Sequence, residues 1–172
     1  MDSMATATNN IIFKKHGWWG KVFAAVLAVL LLSGCSMSLS LFGDETPEPP
    51  ASARGAEAVR TARSVIGVPY KWGGESPRTG FDCSGLTKWV YQRYGVGLPR
   101  STKDQFGSGH RVSAKTMQPG DLVFFDVGGG NHVGIYSGNG FFIHSPKSGS
   151  RVREEDMRDY WWDRFIGARR VL

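Results

Sequence analysis

The sequence predicts an α+β domain in which helices come first and an antiparallel β-sheet follows. Two observations predict it: apolar residues recur at helical spacing up to residue 94, and short or alternating apolar runs replace them beyond residue 120. Helices followed by a series of strands are typical of α+β folds. With 172 residues, 41% of them hydrophobic, the chain can hold one compact domain. Its length and composition exclude a large multidomain protein and an intrinsically disordered chain.

Three helices are predicted ahead of the strands. The first has three apolar residues at helical spacing, then a glycine and a proline that end it: Val59, Ala62, Ile66, Gly67 and Pro69. The second fits residues 83–94, because its apolar side chains form one face, Asp82 stands at the N-cap and Gly95 can close the end. A short third helix follows, with Ser101 as its cap and Asp104 in its first turn.

Four strands are predicted in the second half of the domain. They cover residues 122–125, 132–136, 141–145 and 164–171. The first is a short apolar run, and the second and third alternate between apolar and polar residues. Together these elements predict N-terminal helices packed on a C-terminal antiparallel β-sheet.

The amino end predicts an export signal over residues 1–34. Basic residues precede an apolar run from Val22 to Leu32, which at about 1.5 Å per residue covers about half of a ~30 Å hydrocarbon core. A permanent spanning helix is therefore disfavoured. The segment Leu32-Ser33-Gly34-Cys35 resembles a bacterial lipobox, which implies cleavage before Cys35 and lipidation of its thiol. The alternative is an ordinary signal peptide with an incidental cysteine.

The segment after Cys35 predicts a lipid-anchored tether over residues 35–55 and a folded domain over residues 56–172. The tether contains prolines and no apolar periodicity. Ser36 stands where inner-membrane retention would usually show an aspartate, which implies the periplasmic face of the outer membrane. The formal charge of +6 favours anionic neighbours. Lys and Arg form no dense cluster, however, so a nucleic-acid partner is not expected.

Cys83 is predicted at the first turn of the second helix. Unpaired amide N–H groups and the positive end of the helix dipole would both favour a thiolate there, so a reactive nucleophile is predicted. The alternative is a small buried apolar residue, which the neighbouring Asp82 and Gly85 disfavour. A disulfide is not expected, because the only other cysteine is Cys35.

His132 and His144 lie on two predicted strands that flank the turn at residues 137–140. Side chains alternate in facing along a strand, so the length of the loop decides whether the two rings share a face. A two-residue loop at Gly138-Asn139 would place the two rings on opposite faces of the sheet. A three-residue loop sets His144 opposite Gly134 and diagonal to His132, within reach of a ring contact. We therefore predict an odd-length loop or a compensating bulge, with Gly134 leaving room between the rings.

Six blocks of sequence resemble the NlpC family of papain-like cell-wall cysteine peptidases. In chain order they are Pro69-Tyr70-Lys71-Trp72-Gly73-Gly74, Asp82-Cys83-Ser84-Gly85-Leu86, Leu98-Pro99-Arg100-Ser101, Pro119-Gly120-Asp121-Leu122, His132-Val133-Gly134-Ile135-Tyr136 and His144-Ser145. The resemblance runs from about residue 56 to the C-terminus. It is greatest to the small outer-membrane murein endopeptidase lipoproteins of the Spr type.

The resemblance implies a papain-like fold and a role for each matching residue. Cys83 would be the nucleophile, His132 the general base, and His144 the polar residue that orients His132. Tyr70 would line the cleft, Asp82 and Ser84 would shape the substrate subsites, and the amide of Cys83 would help form the oxyanion hole. A further set of basic residues near the expected cleft would meet substrate carboxylates or form a merely solvated face: Arg78, Arg100 and Lys103.

The function implied is that of a peptidoglycan endopeptidase that cleaves an amide bond next to diaminopimelate, in stem peptides or cross-links. No cofactor or metal is expected, the partners are peptidoglycan and the membrane, and the protein is expected to be a monomer. Three alternatives stay open: a non-catalytic peptidoglycan-binding lipoprotein, a papain-like acyl or amide transferase, and a zinc site made of Cys83, His132 and His144.

Overall fold

The computed structural model describes residues 51–172. The predicted signal peptide, Cys35 and the tether up to residue 50 lie outside the described residues. Within residues 51–172, no helix combines the length and the apolar character needed to cross a bilayer.

The described residues form three helices, eight strands and two 3₁₀ turns. The helices are α1 (Ala51–Arg63), α2 (Cys83–Gln92) and α3 (Thr102–Gln105). The strands are β1 (Glu75–Ser76), β2 (Gly80–Phe81), β3 (His110–Val112), β4 (Leu122–Val127), β5 (Gly130–Gly138), β6 (Phe141–His144), β7 (Arg153–Asp156) and β8 (Phe165–Arg170). The 3₁₀ turns cover Ala114–Thr116 and Trp162–Arg164.

Six of the strands form one antiparallel sheet in the order β3-β8-β4-β5-β6-β7, while β1 and β2 form a separate small hairpin. The predicted α+β class is therefore confirmed, and the four predicted strands appear as β4, β5, β6 and β8. The short strands β1, β2 and β3 were not predicted. Strand β7 was not predicted either, because the sequence Arg-Glu-Glu-Asp has no apolar alternation.

The sheet has a hydrophobic cluster on each face. The first joins α1 and α2 to the sheet: its members include Val59, Ala62, Leu86, Val90, Phe124, Val133, Ile135 and Ile143. The second lies on the other face and has six buried members: Val123, Phe125, Phe142, Met157, Trp161 and Ala168. Burial of both faces fixes the register of the central strands, since a slip of one residue would exchange the two clusters.

The first helix differs from its prediction at both ends. Its described part begins at Ala51, so residues 51–55, which the sequence assigned to the tether, are helical. Gly55 packs so closely on the loop before β4 that an added Cβ would lie 2.1 Å from the carbonyl oxygen of Pro119. At the other end Ile66 is 45% exposed and Val65 is buried instead. The α-helix stops at Arg63, so helical spacing no longer applies to Ile66.

Candidate active site

The start of α2 is fixed by Asp82, the predicted N-cap. Its backbone is extended (φ −91°, ψ 179°), and its carboxylate accepts hydrogen bonds from the amides of Gly85 (2.7 Å) and Gly73 (2.9 Å). The first bond satisfies an amide that the helix leaves unpaired, and the second ties the loop before β1 to the helix. The cap thus sets Cys83 at the first helical position.

Arg100 binds the same carboxylate. Its Nη1 donates to Asp82 Oδ1 (3.0 Å) and to Ser84 Oγ (2.8 Å), and its Nε lies 2.6 Å from Glu75 Oε1. Burial alone would raise the pKa of Asp82, but the Arg100 guanidinium and the two amides outweigh it and hold the pKa below its ordinary value. Arg100 is therefore paired with carboxylates of the protein itself.

A cleft of about 400 Å³ opens beside the start of α2. Its lining includes all four residues predicted to bind substrate, together with Cys83: Tyr70, Asp82, Ser84 and Arg100. Trp72, on the same loop as Tyr70, is 85% exposed at the cleft. Burial raises the pKa of Tyr70, and the nearby Cys83 and Asp82 raise it further. Its hydroxyl therefore stays protonated and can donate a hydrogen bond at neutral pH.

Cys83 is partly exposed in this cleft. Its Sγ lies 3.5 Å from Thr102 Oγ1, at the first residue of α3. Among residues 51–172 no hydrogen bond joins Cys83 to His132, and none uses the amide N–H of Cys83. The sulfur is thus reachable from solvent, and the neighbouring amide N–H of Cys83 is available to donate a hydrogen bond.

The two predicted histidines share one face of the sheet. Strands β5 and β6 pair Ile135 with Ile143 and Gly138 with Phe141, so the register shifts between the two pairs. The connection is a two-residue turn, and the extra residue Ser137 forms a bulge that restores the parity. The predicted compensating bulge is confirmed. Gly134 makes room for the ring of Phe142 rather than for the histidines, because an added Cβ would lie 2.5 Å from that ring.

His132 and His144 form a direct hydrogen bond of 2.8 Å between Nε2 and Nδ1. Both side chains are buried among aromatic rings. Trp161 stacks on His132 with 5.3 Å between ring centroids, and it meets His144 edge-on with 5.0 Å between ring centroids. Burial lowers the pKa of each histidine to about 3. A positive charge on His144 would lower the pKa of His132 further, whereas the charge of Glu155 raises it. Both imidazoles are therefore neutral at pH 7 in the free protein.

Glu155 completes this group, which we call the histidine end: His132, His144 and Glu155. Its Oε2 lies 2.7 Å from His144 Nε2. Nothing in the sequence singled out Glu155, because it lies in a charged run with no motif. The contact forms only because β7 pairs with β6.

The cysteine end, which comprises Tyr70, Asp82, Cys83, Ser84 and Arg100, and the histidine end border different cavities. His132 lines a second cavity of about 360 Å³ together with Glu155 and Trp161. Its neighbour Asn131 lines the cleft of Cys83, so consecutive residues at the start of β5 face the two cavities. Within the described chain, no three His, Cys, Asp or Glu side chains are grouped closely enough to hold a metal ion.

Curated proteins with matching sequences include two that are named as endopeptidases. The murein DD-endopeptidase MepH of Escherichia coli is 42% identical over 122 residues, covering 67% of this chain and 45% of that protein. The bifunctional muramidase/DL-endopeptidase CwlT of Bacillus subtilis is 42% identical over 121 residues, covering 66% of this chain and 35% of that protein. The chain thus spans less than half the length of either relative.

Solved structures match the fold as well. An NlpC/P60 family protein from Bacillus cereus has a TM-score of 0.65 at 35% identity, covering 73% of this chain and 41% of that one. The NlpC/p60 domain of the peptidoglycan hydrolase SagA has a TM-score of 0.59 at 38% identity, covering 66% of this chain and 96% of that domain. The papain-like fold is thereby confirmed. Residues 67–170 match the NlpC/P60 family model, so the chain belongs to the NlpC/P60 family.

Proposed function

We propose that this protein is a peptidoglycan endopeptidase in which Cys83 is the nucleophile, His132 the general base and His144 its orienting partner. The observation that carries the proposal is that one domain holds both a reachable thiol at a capped helix start and a buried, hydrogen-bonded histidine pair, with His132 at the start of β5 and His144 at the end of β6. Relatives that bear endopeptidase names support it.

The proposed reaction proceeds through a thioester. His132 takes the thiol proton, Cys83 Sγ attacks the carbonyl carbon of the scissile amide, and the amide N–H of Cys83 donates to the oxyanion. His132 then protonates the leaving amine as the C–N bond breaks. A water molecule, deprotonated by His132, attacks the thioester carbon and releases a carboxylic acid and the thiol.

Substrate binding must bring the sulfur toward His132 in this mechanism. In the free protein Sγ contacts Thr102, 3.5 Å away. Catalytic hydrogen bonds are often long or misaligned before substrate binds, and they shorten in the complex. We infer that rotation of the Cys83 side chain away from Thr102 accompanies substrate binding.

The proposed substrate is the stem peptide of peptidoglycan, cut at an amide bond next to diaminopimelate. The cleft is open and lined by Tyr70 and an exposed Trp72, which suits a branched peptide with γ-linked or D-residues better than a deep side-chain pocket would. Asp82, Ser84 and Arg100 would shape the wall against which the peptide lies.

The test is mass spectrometry of muropeptides after incubation with the full chain and with Cys83→Ala in H₂¹⁸O. Wild type should release new peptide ends that carry one ¹⁸O for each bond cleaved, and Cys83→Ala should release none. The masses identify which bond next to diaminopimelate is cut. Products that carry an amine or acyl group instead of ¹⁸O would indicate a transferase, and identical products from both proteins would refute the proposal.

We also propose that Cys35 carries lipid that anchors the protein to the periplasmic face of the outer membrane. The lipobox-like segment before Cys35 and the serine after it support this. Wild type expressed in a Gram-negative host should incorporate labelled palmitate and fractionate with outer membranes, whereas Cys35→Ser should do neither. Equal labelling of the two proteins would contradict the anchor.

A further inference from the structure

The histidine pair is hydrogen-bonded to the carboxylate of Glu155, which has no role in the proposed mechanism. Strand β7 pairs Glu155 with Phe142 and Arg153 with His144. Glu155 is therefore diagonal to His144 on the face that carries both rings, and its Oε2 lies 2.7 Å from His144 Nε2. The series Glu155, His144, His132 thus forms a continuous hydrogen-bonded relay.

The proton positions in this relay follow from its acceptor end. An ionised carboxylate only accepts hydrogen bonds, so His144 must carry its proton on Nε2. A neutral His144 then presents an unprotonated Nδ1, which accepts from His132 Nε2–H. His132 in turn carries its lone pair on Nδ1. Because Nε2 of His132 is engaged with His144, Nδ1 is the ring nitrogen left for the thiol of Cys83.

Burial keeps both histidines of the relay neutral. The pKa of each histidine falls to about 3, with desolvation as the main cause. A neutral imidazole has one donor and one acceptor nitrogen, so a single fixed acceptor at one end of the relay determines both rings. Without that acceptor, either ring can adopt the other tautomer.

We propose that Glu155 is a positioning residue that fixes the tautomers of His144 and His132 and so directs the basic Nδ1 of His132 to the reacting thiol. The inference rests on the proposed function for its catalytic consequence. The tautomers themselves are a property of the free protein.

The competing explanation is that Glu155 has a purely structural role, through its contacts with neighbouring side chains other than His144. Arg153 donates to both oxygens of Glu155 at 3.1–3.2 Å, and Lys147 and Tyr160 line the same cavity. Glu155 is 33% exposed, and the ion pair with Arg153 contributes little stability at such a site. The experiment must therefore read out the proton positions and not stability alone.

The test uses three variants on strand β7. Glu155→Ala removes the acceptor, and Glu155→Gln keeps one in its side-chain carbonyl. Glu154→Gln is the matched control, because Glu154 also loses a carboxylate charge and is similarly exposed (28%) but pairs with Arg63 instead of a histidine. NMR of ¹⁵N-histidine-labelled protein then reports which ring nitrogens of His132 and His144 carry protons.

In wild type both rings should be protonated at Nε2, with a slowly exchanging Hε2 signal from His144. Glu155→Ala should lose that signal and populate the Nδ1-protonated tautomer of His144, whereas Glu155→Gln and Glu154→Gln should resemble wild type. Unchanged tautomers in Glu155→Ala would overturn the proposal. These spectra need no substrate, so they decide the tautomer question even if the chain cleaves no peptidoglycan.

The catalytic consequence is measured on purified muropeptides. We expect Glu155→Ala to lower kcat about tenfold with little change in KM, the lower end of the cost of losing an orienting partner. Glu155→Gln should recover most of the rate. A normal kcat in Glu155→Ala, together with cleavage by wild type, would refute the positioning role and leave the proposed function intact.

Discussion

The cysteine end and the histidine end are built in opposite ways. The five residues of the cysteine end lie within positions 70–100. Backbone amides and the Arg100 guanidinium bind Asp82, and the thiol of Cys83 is open to solvent. The histidine end draws on β5, β6 and β7, and its two rings are buried against Trp161. Each environment suits its proposed role, because a nucleophile must be reachable whereas an oriented base must be fixed and neutral.

The difference also appears in the charges. At the cysteine end burial is outweighed by charged and amide partners, so Asp82 keeps its charge with a lowered pKa. At the histidine end burial dominates and lowers the pKa of both rings. The protein can thus hold a charged Asp82 and a neutral imidazole pair over the same range of pH.

The largest expected effect is the loss of activity when the catalytic side chain of either end is removed. If both act in one reaction, Cys83→Ala and His132→Ala should each lower kcat/KM by about 10⁴-fold, and the double variant should be no worse, because residues that act as a unit are not additive. Muropeptide cleavage measures all three. His110→Ala is the control, since His110 is exposed on the edge strand β3. Multiplicative losses in the double variant would show that the two ends act separately.

The next effect concerns stability against pH. Folded His132 and His144 have pKa values of about 3, against 6.5 for an ordinary histidine. Between these values the unfolded chain binds protons that the folded chain lacks, so stability falls as pH falls. From pH 7 to pH 5 we expect a loss of up to about 2 kcal/mol per histidine in the free energy of unfolding.

Urea unfolding at pH 7, 6 and 5 measures this loss. His144→Gln should flatten the dependence, and His110→Gln should leave it as in wild type. The lowered pKa of Asp82 acts in a different window: its stabilisation is present above the ordinary pKa near 4 and is lost only as pH falls further. A slope that is the same in wild type and His144→Gln would contradict the neutral, buried state of the pair.

The smallest expected effect concerns the packing beneath the histidines. Gly134→Ala would place a Cβ 2.5 Å from Phe142 Cδ2 and 2.9 Å from the carbonyl oxygen of Ile143. We expect a loss of about 1–3 kcal/mol in the free energy of unfolding, as for other overpacked cores. The control is Gly97→Ala, where an added Cβ has no neighbour within 4 Å. Equal stability of the two variants would show that β6 can shift without cost.

Much of the cysteine end could be predicted from sequence because its determinants are local. Asp82 caps the helix that Cys83 begins, and Ser101 caps α3 through the amide of Asp104, as the spacing of these residues indicates. The pairing of Arg100 with Asp82 and Glu75 was not predicted, since it joins residues far apart in the chain. The contact of Thr102 with the sulfur was missed for the same reason.

The histidine end was predicted only in part. Parity required that a bulge or an odd loop bring His132 and His144 to one face, and the bulge at Ser137 does so. The neighbours that bury and orient the rings gave no signal, because Trp161 and Glu155 come from segments without apolar periodicity.

The sequence by itself determined the three helices and four of the strands, the caps that start α2 and α3, and the residue types at both ends, because these depend on neighbours within a few positions. Only the tertiary structure decided that Glu155 meets His144, that Arg100 is paired with carboxylates of the protein, and that the two ends border separate cavities. Such contacts depend on which strands pair and in what register. That choice is made by burial of both faces of the sheet at once, which no short stretch of sequence specifies.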